Sequence, residues 1–105
     1  MTDGLAELYA TLLERKRSPA ESSYTARLFG DGLDAILKKV GEEAAETLIA
    51  AKNADRAALV HELADLWFHT LVLMAAKDIP LSELNEELAR RRGRSGLEEK
   101  AARTR

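Results

Sequence analysis

The chain has 105 residues, a formal net charge of −2 and no cysteine. That length suits one domain, and the missing cysteine excludes disulfides, thiolate metal centres and cysteine nucleophiles. The near balance of 16 Lys+Arg against 18 Asp+Glu argues against general adhesion to nucleic acid or to membranes.

Hydrophobic residues make up 46% and charged residues 32%, as in globular rather than disordered chains. Seventeen Leu and eighteen Ala stand against three Val and three Ile, which favours an all-α fold because unbranched side chains lose little entropy in a helix. The longest apolar run, Leu71 to Ala76, is far short of a membrane span. The N-terminus lacks a basic-then-apolar signal pattern, so a cytoplasmic location is expected. So small a domain leaves much surface uncovered, and oligomerisation is expected too.

The first predicted helix covers residues 3 to 16, with Leu5, Leu8, Tyr9, Leu12 and Leu13 on one stripe and Asp3 as its cap. Residues 17 to 23, with Pro19, read as a loop. Tyr24 to Phe29 reads as one helical turn capped by Ser23, and Gly30-Asp31-Gly32 as a break. A second long helix is predicted from Leu33 to Lys52, with Leu33, Ile36, Leu37, Val40, Ala44, Leu48 and Ala51 in one sector. Gly41 lies inside it at a propensity cost of about 1 kcal/mol. Asn53-Ala54-Asp55 is a turn, and Asp55 a cap for the next helix.

That helix, about 56 to 77, is apolar around most of its wheel, Leu63, Leu66, Trp67 and Leu71 included. Such a helix needs cover on several sides. The expected architecture is a bundle of four to five helices completed by a second copy, with Trp67 and the leucines as core. Ile79-Pro80 is expected to end it. A last helix over about 81 to 92 should turn Leu81, Leu84 and Leu88 inward and finish in Arg90-Arg91-Arg92-Gly93. Residues 94 to 105 form a basic, weakly patterned tail to a single domain spanning 1 to 105.

Two acidic pairs stand out. Glu43 with Glu46, and Glu62 with Asp65, are three residues apart, so each pair shares a helix face. The short turn between the two helices makes them antiparallel neighbours, and the four carboxylates then converge. At about 5 Å and an effective dielectric of about 20, each like-charged pair costs about 3 kcal/mol. A hard divalent cation removes that repulsion, and an all-oxygen site suits Mg²⁺ or Mn²⁺. The plainer reading of Glu43 and Glu46 is a solvated helix face. Glu62 and Asp65 resist that reading, because unpaired carboxylates in an apolar helix are costly to bury. Lys39 projects on the flank of Glu43 and Glu46. His61 and His69 read as hydrogen-bonding neighbours rather than ligands. Zinc-protease and di-iron spacings are absent, as is a Gly-rich phosphate loop.

Glu43-x-x-Glu46, fifteen residues, then Glu62-x-x-Asp65 resembles the signature of the MazG-like all-α nucleotide pyrophosphohydrolases. Within them the chain is similar to the phosphoribosyl-ATP pyrophosphatase family. Ser23 to Phe29, Lys38 to Glu46 and Ser95 to Ala101 carry the narrower match. The resemblance implies a helical homodimer that binds Mg²⁺ and a nucleotide. The implied reaction is hydrolysis of 1-(5-phosphoribosyl)-ATP to 1-(5-phosphoribosyl)-AMP and pyrophosphate, the second step of histidine biosynthesis. It implies that Glu43, Glu46, Glu62 and Asp65 hold metal, with Glu42 orienting water, binding a second ion or facing solvent. Arg27, Lys38, Lys39, Arg94 and Lys100 are the residues expected at the phosphates. Two other readings stay open: a pyrophosphohydrolase of non-standard or excess nucleoside triphosphates, and a non-catalytic helical dimerisation module.

Overall fold

The computed structural model describes residues 4–93. The described residues form α1 (Gly4–Lys16), a 3₁₀ turn (Ala20–Ser22), α2 (Tyr24–Asp31), α3 (Leu33–Ala51), α4 (Arg56–Ala76) and α5 (Leu81–Arg92), with no strand among them. The fold is all-α. Asp3, Arg94, Lys100 and the tail lie outside the described residues.

Local chemistry sets the helix ends. Ser23, in extended conformation, accepts the Ala26 N–H on its Oγ at 3.0 Å and starts α2. This helix runs two turns to Asp31, past the predicted end at Phe29, because Gly30 continues it. Gly32, at φ +100°, makes the break to α3, in a backbone region other residues rarely adopt. Asp55 Oδ1 accepts the Ala58 N–H at 3.1 Å and starts α4 as expected.

The far end of α4 stops before Ile79-Pro80. Asp78 takes φ +58°, its N–H reaches the Ala75 carbonyl at 3.2 Å, and the Ile79 N–H reaches Met74 at 2.9 Å. This pair of bonds is a Schellman motif with Asp where Gly is usual. Lys16 steadies it by donating to the Ala75 carbonyl at 2.7 Å and to Asp78 Oδ1 at 2.8 Å. The Tyr9 hydroxyl donates to the Ile79 carbonyl beside it.

The core lies at this end of the molecule. Tyr9 and Leu12 of α1, Leu28 of α2, Ile36 of α3 and Leu71, Val72, Met74 and Ala75 of α4 pack together. At the other end α3 and α4 continue as an antiparallel hairpin. Leu48, Ile49, Val60, Leu63 and Trp67 are exposed there, Trp67 by 44% and Leu48 by 71%. The expectation that Trp67 and Leu63 are core therefore fails within the described residues of one protomer, since none of the other described elements covers them. Leu33 and Leu37 are likewise exposed. So is Leu88, which was expected inward. On α5 only Leu81 and Leu84 meet the core, and no α5 residue is buried. The radius of gyration, 16.0 Å, exceeds the roughly 13 Å of a compact chain of this size.

By length and composition α4 is apolar enough to cross a membrane. Its middle carries Glu62 and Asp65, which are expensive in lipid, and its last turns are packed in the core.

Two substitutions test this account. Leu71→Ala empties a fully buried position and should cost about 2–5 kcal/mol in denaturant titration. Gly41 has open space where a Cβ would stand, so Gly41→Ala should stabilise the helix by about 0.5–1 kcal/mol.

Candidate metal centre

Helix periodicity puts Glu43 and Glu46 on the flank of α3 that faces α4, and Glu62 and Asp65 on the answering flank of α4. Thr47 fixes the register: its hydroxyl donates to the Glu43 carbonyl at 2.8 Å and lies 3.2 Å from the Glu62 carbonyl.

Ligand-capable atoms of Glu43, Glu46 and Glu62 all lie within 4.8 Å of one another, and so do those of His61, Glu62 and Asp65. The carboxylates thus meet in two overlapping groups that share Glu62, rather than in one group of four. Asp65 is drawn aside by His61, whose Nε2 is 3.3 Å from its Oδ2.

Glu43 is only 5% exposed. Lys39 Nζ stands 3.3 Å from its Oε1, but its Oε2 is buried without a hydrogen-bonding partner. Glu62 Oε2 is buried and unpartnered in the same way. Orphaned buried carboxylate oxygens are rare, because desolvation goes uncompensated. Two of them on facing helices, with a third carboxylate beside them, fit a hard divalent cation.

Electrostatics divide the group. Burial pushes the Glu43 carboxyl up, but hydrogen bonds from Lys39 and Glu46, with the Lys39 charge, outweigh it and leave it below the ordinary range. Glu46 is raised, first by its hydrogen bond with Glu62 and then by the Glu43 charge. Lys39 is raised, chiefly by its hydrogen bond to Glu43. A carboxyl raised in this way holds its proton more tightly, and a cation entering the site competes with that proton.

Glu42 is turned outward and stands 3.7 Å from Lys39, outside both groups. Arg27 and Lys38 are exposed and in no ion pair among the described residues. Glu46 and Glu62 also border an open groove of about 460 Å³ that continues over Ile49, Ala50 and Ala58, an apolar floor beside the acidic group. His69 is buried and satisfied, as expected. Sequence reasoning missed the bond from Tyr24 to His69. Forty-five residues separate them, and no local spacing signals the contact.

Glu46 offers a test. A raised carboxyl binds its proton more tightly folded than unfolded, so its contribution to stability is lost as pH rises through that raised value. In metal-free protein at neutral pH, Glu46→Gln should therefore raise Tm, and the rise should vanish below about pH 4. The same variant should lose most of the Tm increase that Mn²⁺ gives the parent protein.

Residues 5–92 match the family model described as phosphoribosyl-ATP pyrophosphohydrolase. A protein of Geotalea daltonii named phosphoribosyl-ATP pyrophosphatase is 52% identical over 103 residues, covering 98% of this chain and 97% of its own. Proteins of the same name from Trichlorobacter lovleyi and Neisseria gonorrhoeae are 54% and 49% identical. They cover 94% and 95% of this chain, and 92% and 94% of their own lengths. Similarity of that depth along almost the whole length, joined to the acidic pairs on α3 and α4, means that this chain belongs to the phosphoribosyl-ATP pyrophosphohydrolase family.

Proposed function

We propose that this chain hydrolyses 1-(5-phosphoribosyl)-ATP to 1-(5-phosphoribosyl)-AMP and pyrophosphate, the second step of histidine biosynthesis, in the cytoplasm. It is a hydrolase, and its named relatives support this substrate. The observation that carries the reading is the pair of unpartnered, buried oxygens of Glu43 and Glu62, on two helices of a chain about half identical to those relatives.

Glu43, Glu46, Glu62 and Asp65 would hold Mg²⁺, with Mn²⁺ as its natural substitute. When bound, such an ion polarises phosphate oxygens and acidifies water. Glu46 is the least enclosed of the glutamates in its group, so it is the one water reaches most easily, and a carboxylate oxygen that it leaves off the ion can take a proton from water. Lys39, already paired with Glu43, is the cation nearest the acidic group among those we assign to the phosphates. Arg27, Lys38, Arg94 and Lys100 are the further cations we assign to the phosphates, and Glu42 serves as a counter-charge to Lys39. The apolar groove floor gives the nucleoside a place beside the acidic group.

The working unit in this reading is a homodimer of one-domain protomers, with residues 94–105 as a basic tail. On α4, Val60, Leu63 and Trp67 are exposed at helical spacing and share one apolar stripe, the kind of surface that a second copy would cover. Its self-association would complete the bundle.

Glu62→Gln and Asp65→Asn test the site. Pyrophosphate release from phosphoribosyl-ATP should fall about a hundredfold or more in each, with the helical circular dichroism unchanged. Full activity in either variant refutes the assignment.

A further inference from the structure

The Ser23-Tyr24-Thr25 segment caps α2 through Ser23, and its tyrosine makes an unusual contact. Tyr24 is 56% exposed, while its hydroxyl lies 3.0 Å from Nε2 of His69, a residue only 5% exposed. The two rings meet edge to face, with centroids 6.1 Å apart. The other ring nitrogen, Nδ1, lies 2.8 Å from the backbone carbonyl of Asp65.

Partner chemistry decides the direction of these bonds. A carbonyl only accepts, so Nδ1 carries the hydrogen. In the neutral imidazole Nε2 then holds a lone pair, and the Tyr24 hydroxyl must donate to it. The phenol proton is committed inward. What Tyr24 offers outward is an oxygen with free lone pairs, an acceptor alone. Phe68 packs edge to face on the other side of His69 at 5.2 Å and helps to hold the ring in place.

This acceptor stands beside the acidic group. His69 is one turn beyond Asp65 on α4. This partner of Tyr24 is bonded through Nδ1 to the backbone carbonyl of Asp65 itself. A phosphate chain at neutral pH carries acceptors only, so it gains nothing from this oxygen. The donors of a nucleotide are its sugar hydroxyls and base nitrogens.

We propose that Tyr24 is a specificity-determining residue that accepts a hydrogen bond from a sugar hydroxyl of the bound nucleotide, and that His69 is the positioning residue that turns its oxygen outward. The inference rests on the reading of the chain as a nucleotide pyrophosphohydrolase. It separates recognition of the sugar, on α2, from recognition of the phosphates, on α3 and α4.

The test compares the parent enzyme with Tyr24→Phe, using phosphoribosyl-ATP as substrate and inorganic tripolyphosphate as a competitive inhibitor without a sugar. Tyr24→Phe should raise KM roughly five- to tenfold, the worth of one hydrogen bond, with kcat within about twofold. Inhibition by tripolyphosphate should be unchanged. A merely structural tyrosine would weaken substrate and tripolyphosphate together, and that result overturns the proposal, as does an unaltered KM or a loss confined to kcat. If the parent enzyme itself releases no pyrophosphate, the underlying function fails instead. An active parent matched by its variant removes only the role given to Tyr24.

Discussion

Two helices of this chain bring acid groups together where water cannot fully solvate them. Glu43 is buried against α4, and neither its Oε2 nor that of Glu62 has a donor. Carboxylates placed so closely repel, and burial strengthens the repulsion. Lys39 offsets part of it at Glu43, and Glu46 responds to it with a raised pKa. The arrangement still lacks positive charge at its centre. The proposed ion, the groove beside it and the pyrophosphohydrolase reading all depend on that deficit.

The fold keeps this tension away from the part that provides stability. The apolar core gathers α1, α2, the start of α3 and the last turns of α4. There the Lys16 bonds and the Schellman motif close the C-terminal end of α4. The acidic group sits further along the α3–α4 hairpin, where its carboxylates come from those two helices and groups can approach from outside. Functional sites commonly occupy such less stable regions, because the chemistry needs charges that folding alone disfavours. The apolar face on the same hairpin follows from this layout. Two helices cannot cover each other on all sides, so α4, apolar around nearly its whole circumference, leaves Val60, Leu63 and Trp67 in water.

Much of this was legible in the sequence, because the strongest signals are local. Ser23 and Asp55 announce the starts of helices through side-chain chemistry and act where expected, while the predicted break at Gly30-Asp31-Gly32 narrows to Gly32. The i, i+3 spacing put Glu43 with Glu46 and Glu62 with Asp65, and the short turn at Asn53-Ala54-Asp55 made the helices antiparallel. Tertiary facts were harder to see. Trp67 and Leu88 look like core on a helical wheel, but a wheel says only that a face is apolar, not what covers it. The pull of His61 on Asp65, which divides the carboxylates into two groups, depends on side-chain rotamers. The Tyr24–His69 bond joins helices far apart in the chain, and periodicity carries no trace of it.

The central claim is that acid groups from α3 and α4 share one divalent cation. The most direct measurement is a crystal grown with Mn²⁺, with the ion located by its anomalous scattering. The account predicts a peak at about 2.0–2.3 Å from carboxylate oxygens of both helices, Glu43 and Glu62 among them. A well-ordered crystal at saturating Mn²⁺ with no peak between those helices, and Glu43 still turned to Lys39 alone, would contradict it.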